Sequence, residues 1–472
     1  MEENNRSEGR LCGKRAAFLS LGCKVNSYET EAMRELFRQA GAQIVDFSER
    51  ADIYVVNTCT VTNIADRKSR QMLHRAKKQN PDALVAAVGC YVQEAAAELE
   101  KDLSVDVLVG NNRKNEIVGI ILQHMEQRDI KSGQEDEISG KTLCVPDISM
   151  EKNYEELSVA AVEKTRAYIK IQDGCNQFCT YCIIPYARGR IRSRSMQEVE
   201  EEVRALVAGG YQEIVLTGIH LSSYGMEAYP QTARFEEIFK NEDMPLVKLI
   251  RRLNEVEGIT RIRLGSLEPR IVTGEFAKAI AKTKVCPHFH LSLQSGCDAT
   301  LKRMNRRYDT AGYRESIKIL REYFDRPAIT TDVIVGFPGE TEEEFVESFD
   351  FAKEMQFAQM HVFKYSRRKG TKAAEMPNQV SEEIKAARSE KMIGLEEKMR
   401  GEFEQSFTGE ETEVLLEESI LYGGQPYMVG YNARYIKYAL GTEENLSNIC
   451  VKGHINGDFA GEIPLIVRKQ SK

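Results

Sequence analysis

Three short apolar runs near the start of the chain each end on a cysteine. Ala16-Ala-Phe-Leu-Ser-Leu-Gly22 leads to Cys23, Asp52 to Thr58 leads to Cys59, and Ala83 to Gly89 leads to Cys90. The stretches between them have helical character: over about 28–41, Met33, Leu36, Phe37 and Ala40 recur at i, i+3, i+4 and i+7. A further helix over Val92 to Asp102 and a strand over Val105 to Val109 continue the alternation. A β-α-β-α series predicts an α/β domain with a parallel sheet. The cysteines lie 36 and 31 residues apart, about one strand-plus-helix repeat each. All three therefore fall at carboxyl ends of parallel strands, the edge where such sheets build their sites. One cysteine there could be packing. Three in equivalent positions point to a convergent metal site.

A second cysteine group has a different form. Asp173-Gly-Cys-Asn-Gln-Phe-Cys-Thr-Tyr-Cys-Ile-Ile-Pro carries Cys175, Cys179 and Cys182 as Cys-x3-Cys-x2-Cys, with Tyr181 before the third. Thiolates are soft ligands for iron–sulfur clusters or zinc. A closed zinc site takes four ligands, and a cubane fully held by protein takes four cysteines. Three on one loop leave an iron open for a substrate or cofactor. A zinc knuckle with a distant fourth ligand stays open on spacing alone.

The motif resembles the signature of the radical S-adenosylmethionine (SAM) enzymes. That resemblance implies a [4Fe–4S] cluster whose open iron chelates SAM and, when reduced, cleaves it to methionine and a 5′-deoxyadenosyl radical. The following sequence agrees. Strand-like runs recur at 167–173, 213–219, 261–267, 289–294, 330–336 and 360–365, mostly with amphipathic helices between them. Six such units predict an open (β/α)6 barrel with its site at the carboxyl ends of the strands. There the resemblance implies SAM contacts from Tyr181, from Thr217 and Gly218 in Leu216-Thr-Gly-Ile-His220, and from Ser266 and Glu268 in Leu264-Gly-Ser-Leu-Glu-Pro269. Gln294 and Asp332 complete the series. His220, His288, His290 and His361 read as hydrogen-bonded neighbours, not ligands.

Ser20-Leu-Gly-Cys-Lys-Val-Asn26, Val56-Asn-Thr-Cys-Thr-Val-Thr62 and Gly89-Cys-Tyr-Val-Gln93 resemble the three blocks of the methylthiotransferases. This implies that Cys23, Cys59 and Cys90 hold a second [4Fe–4S] cluster with an open iron. The C-terminal part has short strands between Gly-rich turns, which predicts a small β-barrel. Its Gly430-Tyr-Asn-Ala-Arg-Tyr-Ile436 resembles the TRAM domain, a tRNA-binding module. The expected organisation is a methylthiotransferase N-terminal domain over 13–130, a radical SAM domain over 155–390 and a TRAM domain over 405–470. A linker is expected around 131–153.

The two N-terminal blocks look most like the enzyme acting on N6-threonylcarbamoyladenosine in tRNA. The implied reaction replaces the adenine C2–H by C2–S–CH3, next to the anticodon. An aromatic C2–H is too weakly acidic for a side-chain base, so radical abstraction fits the chemistry. The same reaction on isopentenyladenosine, or a non-catalytic metal-containing RNA-binding protein, are the alternatives. An electron donor such as a flavodoxin or ferredoxin is also implied.

Charge says where RNA would sit. The formal net charge of −7 does not advertise nucleic-acid binding, so local patches must supply it. Arg188, Arg190, Arg192 and Arg194 alternate after the Cys182 loop and, if extended, put four guanidinium groups on one face. Arg67, Lys68, Arg70, Arg75, Lys77 and Lys78 follow Cys59. Lys302, Arg303, Arg306 and Arg307 form a third patch, and Arg434, Lys437 and Lys452 a fourth in a region that is otherwise acidic. The polar N-terminus and the lack of a long apolar run predict a cytoplasmic protein with no membrane span. Eleven cysteines in a reducing compartment are not expected to form disulfides. Cys12, Cys144, Cys286, Cys297 and Cys450 remain without a role.

Overall fold

The computed structural model describes residues 9–131, 140–159, 165–230, 235–239 and 244–468. The chain divides into two compact units. The first comprises Met1–Val162, Gln172–Arg194 and Ser366–Ala374; the second comprises Glu163–Ile171, Ser195–Tyr365 and Glu375–Lys472.

The first unit is built on six strands: β1 (Arg15–Ser20), β2 (Gln43–Val45), β3 (Ile53–Thr58), β4 (Leu84–Gly89), β5 (Val107–Val109) and β6 (Thr142–Cys144). They lie in the order β2-β1-β3-β4-β5-β6, every pair parallel. Helices α1 (Lys24–Gln39), α2 (Asn63–Gln79), α3 (Cys90–Leu99) and α4 (Ile117–Lys131) cover the two faces. Alternate strand residues feed separate cores. Phe18, Val55 and Val88 pack with Met33 and Phe37 of α1 and Ile121 of α4, whereas Tyr54, Val56 and Val85 pack with Leu73 of α2 and Leu99 of α3. Burial on both faces is why β3 and β4 read as unbroken apolar runs. Each such side chain contributes about 1.5–3 kcal/mol.

The expected linker contains a strand. β6 extends the sheet through Val107↔Thr142 and Val109↔Cys144. Three residues on an edge, with Leu143 left exposed, carry no legible period; β2 is short and polar-flanked for the same reason. Residues 132–139 of that segment lie outside those described. Strand β7 (Arg166–Asp173) runs from the second unit into the first, where Gln172 and Asp173 pair antiparallel with β8 (Arg192–Ser193).

All six expected barrel strands form. After β7 come β9 (Glu213–Gly218), β10 (Arg261–Leu264), β11 (His288–His290), β12 (Ala328–Val335) and β13 (Gln359–Lys364). Neighbours in space follow chain order, with isolated parallel bridges Ile262↔Val285 and Leu267↔Leu291 joining the two halves. The result is the open (β/α)6 arrangement. A helix over Glu382–Gln405 leads to a closed barrel of β14 (Glu411–Tyr422), β15 (Gln425–Asn432), β16 (Lys437–Gly441), β17 (Cys450–Ala460) and β18 (Ile463–Arg468). Val414, Leu416, Met428, Tyr438, Ile455 and Ile466 fill it.

This small barrel seats on the amino ends of the (β/α)6 strands. Arg166, the first residue of β7, pairs with Glu417 at 2.9 Å and lies over the rings of Tyr431 and Tyr435. Arg261 donates to the Tyr431 carbonyl at 3.0 Å, and Arg263 to that of Ala433 at 3.1 Å. The Tyr431–Tyr435 segment, within the stretch that resembles the TRAM core, thus supplies the docking surface between the barrels. Among the described residues no helix is long and apolar enough to cross a membrane.

Candidate functional site

β1, β3 and β4 are neighbours, so Cys23, Cys59 and Cys90 emerge side by side at one sheet edge. The residues around them hold the loops together. The Asn26 side chain donates to the carbonyls of Leu21 at 2.8 Å and Thr58 at 3.0 Å. Asn57 donates to the Asn26 carbonyl at 3.0 Å, and the Thr58 hydroxyl to that of Val88 at 2.6 Å. Ser69 of α2 accepts from the Cys59 N–H and donates to its carbonyl. Backbone approach is close: at Gly22 (φ +96°) a Cβ would stand 2.6 Å from the Cys59 sulfur. Only glycine leaves that space open beside the thiols.

Two of the three thiols sit at helix starts. Cys23 is the residue before α1 and Cys90 the first of α3, and burial pushes the Cys23 thiol up, opposed by Arg188 and the Asn26 N–H. Burial pushes the Cys59 thiol up to about 11, opposed by the Val61 N–H and reinforced by the charges of Cys90 and Cys23. Cys59 therefore stays protonated without a metal and must release a proton to ligate one. Cys90 accepts hydrogen bonds from Arg188 Nε at 3.2 Å and Asn111 Nδ2 at 3.5 Å. Three thiols, a glycine-made space and two N–H donors aimed at sulfur fit a thiolate-held cluster.

The second triad leaves β7 at Asp173. Cys175 N–H donates to Gly189, and Cys182 N–H to Cys179. Cys175 and Cys179 are buried and Cys182 partly so. A strap from the later chain holds this loop: Ala373 N–H donates to the Thr180 carbonyl at 2.8 Å. The same strap carries Arg368, which bonds Asp66 and Thr60 beside Cys59. Among the described residues no three His, Cys, Asp or Glu side chains gather into a single-ion cage. A cubane spreads three thiolates over three irons, so a triad that holds one need not gather into such a cage.

The expected arginine face does not form. The chain turns at Gly189 and only Arg192–Ser193 is extended, so the four side chains do not alternate on one surface. Arg188 is wholly buried and directs all five N–H groups inward. Nη1 meets Glu29 at 2.9 Å and Asp173 at 3.1 Å; Nη2 meets Asn26 at 2.6 Å and Glu29 at 3.1 Å; Nε meets Cys90. Arg192 is buried with its Nη2 on the Arg188 carbonyl, and Arg194 is buried against the Tyr28 hydroxyl. Arg190 alone of the four is exposed, stacked on Phe178 at 4.5 Å. Other patches are partly committed too: Arg303 pairs with Glu344, Arg306 bonds Tyr308, and Arg434 holds Asp325.

In the second unit, Thr217, Gly218, Ser266, Glu268 and Gln294 follow or end successive strands, and Asp332 lies in β12. Ser266 is exposed, whereas Thr217, Glu268 and Gln294 are buried. Burial would raise the Glu268 carboxyl, but His220 at 3.3 Å and Arg270 at 2.6 Å hold it down at about 2. His290 pairs with Asp332 at 3.3 Å. Gln294 takes a left-handed φ of 70°, its N–H on the Asp332 carbonyl at 2.8 Å.

Comparisons with known proteins agree with this arrangement. Residues 15–110, spanning β1 to β5 and the first cysteine triad, match the model described as "Uncharacterized protein family UPF0004", and residues 169–352 match the Radical SAM superfamily. The chain is 42% identical over 438 residues to the threonylcarbamoyladenosine tRNA methylthiotransferase MtaB of Bacillus subtilis, covering 92% of each. It is 34% identical to the tRNA-2-methylthio-N(6)-dimethylallyladenosine synthase of Pelotomaculum thermopropionicum, covering 88% of this chain and 93% of that one. The chain belongs to the radical SAM methylthiotransferase family. The fold is also that of the radical SAM methyltransferase TsrM from Kitasatospora setae, with a TM-score of 0.52 at 14% identity over 74% of this chain and 72% of that one.

Sequence reading of this methylthiotransferase missed the buried network under the N-terminal cysteines. Glu29 takes Arg188 and Lys114, the latter at 2.9 Å, and all three are fully buried. Glu29 lies three residues beyond Asn26 on the face of α1 that also buries Val25, Ala32 and Met33. A carboxylate on an otherwise apolar helix face was the available signal, because charge is rarely buried unpaired.

Proposed function

We propose that this protein is a radical SAM tRNA methylthiotransferase that converts N6-threonylcarbamoyladenosine, beside the anticodon, to its 2-methylthio derivative. The observation that carries the reading is the convergence of Cys23, Cys59 and Cys90 at the ends of three adjacent strands, next to a residue, Arg188, that follows the Cys175–Cys182 loop after one short helix. The substrate follows the higher identity, 42% to a threonylcarbamoyladenosine enzyme against 34% to a dimethylallyladenosine enzyme.

Cys175, Cys179 and Cys182 hold the [4Fe–4S] cluster implied by the family, and Cys23, Cys59 and Cys90 hold a second. Together with SAM these groups supply reductive cleavage of the sulfonium and delivery of sulfur. The protein's own residues bind and orient. The residues assigned to hold SAM are Tyr181, Thr217, Gly218, Ser266, Glu268, Gln294 and Asp332. Glu268, anionic above about pH 2, offers a fixed negative charge to an ammonium or ribose hydroxyl. Burial of Cys175 and Cys179 limits water and oxygen at that loop. A cytoplasmic flavodoxin or ferredoxin supplies electrons. Residues 13–130, 155–390 and 405–470 act as sulfur-delivering, radical SAM and TRAM domains.

Mass spectrometry of tRNA nucleosides tests the reading. Cells without the gene accumulate N6-threonylcarbamoyladenosine and lose its 2-methylthio form, while methylthio-isopentenyladenosine is unchanged. Loss of the isopentenyl derivative instead refutes the substrate and leaves the enzyme class.

A further inference from the structure

We infer that the outer face of α2 is an RNA-binding surface that grips the tRNA sugar–phosphate backbone beside the Cys59 loop. The inference rests on the tRNA reading above and adds the site. α2 carries six basic residues, and the structure sorts them into two kinds. Arg70 is committed to Tyr91 and Glu98, and Lys77 to Asp106 and the Ala83 carbonyl. Arg67, Lys68, Arg75 and Lys78 are exposed, and among the described residues none of them forms an ion pair. With Ile64, Gln71 and His74 they form one stripe at i, i+3/i+4, i+7 spacing. From Ile64 to Lys78 it runs about 21 Å.

An ordinary solvated face mixes both signs. Here the acids come from outside α2, Asp102 on His74 at 2.8 Å and Glu98 on Arg70 at 3.4 Å, and basic residues remain in excess. The helix has a single acid, Asp66, and it is turned inward onto Arg368 and the Thr60 hydroxyl. Four exposed cations without an ion pair among the described residues are therefore concentrated on one ridge of a chain of net charge −7, Arg75 acting only at longer range on Asp46. The ridge belongs to the unit that carries all six cysteines of the two triads. Its first turn begins just beyond Cys59, capped by Thr62, where Val61 is 51% exposed and Ile64 72% exposed. Cations along the helix with exposed aliphatic groups at the cysteine end match a strand whose phosphates run along the ridge and whose bases approach the Cys59 loop. Arg188, Arg192 and Arg194, which the spacing alone offered to RNA, are buried, and Arg434 is held at the surface by Asp325.

The test compares R67Q/K68Q/R75Q/K78Q with a charge-matched control, K278Q/K318Q/K391Q/K398Q, in the reconstituted full chain. Filter binding of an unmodified tRNA transcript is measured between about 50 and 200 mM salt. The α2 variant is expected to lose at least roughly tenfold in affinity and to flatten the log–log salt slope by about 3–4, near one per phosphate contact. Its iron content and SAM cleavage without tRNA should equal those of the wild type. Equal loss in the control, or an α2 variant with unchanged affinity and slope, overturns the assignment. So does an α2 variant that binds tRNA normally but is reduced more slowly by an acidic flavoprotein, which would make the ridge a donor-docking surface. If the wild type itself does not bind tRNA, the proposed substrate fails instead.

Discussion

Arg188 offers the sharpest perturbation. Replacing it by Met removes six hydrogen bonds from a fully buried site. Breaking a buried ion pair from one side costs about 3–5 kcal/mol, because the partner charge stays behind. Here each stranded carboxylate keeps another cation: Glu29 retains Lys114 at 2.9 Å, and Asp173 retains Arg192 at 3.8 Å. The lower end, about 3 kcal/mol, is therefore the expected cost. For a unit of this size that lowers Tm by roughly 6–12 °C. Arg188→Lys restores a charge but not the planar fork that reaches Glu29, Asp173, Asn26 and Cys90 together, so about half the loss should remain.

Thermal unfolding of the anaerobic apoprotein, followed by circular dichroism, measures both variants. A second readout separates support of the fold from action on sulfur. Hydrogen bonds to cluster sulfurs tune reduction potential, and Cys90 would keep only Asn111 as donor. After reconstitution, the cluster held by Cys23, Cys59 and Cys90 should shift to a more negative midpoint in Arg188→Met, with the Cys175–Cys182 cluster unmoved. A variant that melts within about 2 °C of the wild type refutes the buried network, since even 1 kcal/mol would exceed that margin.

The repeat of strand, cysteine and helix was legible because β1, β3 and β4 are buried on both faces. Their apolar runs stop where the chain meets the sheet edge. The barrel strands β9, β10 and most of β12 were legible for the same reason. What escaped was how charge is arranged. Arg188 to Arg194 alternate with small or apolar residues, a pattern that reads as an extended surface ribbon. Gly189, with φ +73°, and the short strand Arg192–Ser193 break it. The apolar face around Glu29 hints at its burial, but nothing local reveals that Lys114 and Arg188, distant in sequence, are its partners. The Tyr431–Tyr435 segment shows the same limit. Its aromatic and basic residues suit stacked bases or stacked arginines equally, and Arg166 and Arg263 on the other barrel decide the matter.

Two further outcomes follow. Anaerobic reconstitution should give about eight iron and eight sulfide per chain; C175A/C179A/C182A should hold about half. Cys59→Ala should cleave SAM without methylthiolating tRNA, so a full complement of only one cluster, or loss of SAM cleavage in Cys59→Ala with the other cluster intact, would contradict the division between the triads. The remaining case is Glu268, whose folded carboxyl lies at about 2, below its usual 4.5. A depressed carboxyl lends stability above its unfolded value and loses it as the pH falls from 4.5 toward 2. By about pH 3.5 the loss is about 1 kcal/mol. Glu268→Gln lacks this term, although it also leaves Arg270 and His220 short of an anion, so it should be less stable than the wild type near neutrality. Equilibrium urea unfolding at both pH values should show that gap narrowing by about 1 kcal/mol at the acid end. A gap that stays constant would mean that His220 and Arg270 do not hold the carboxylate.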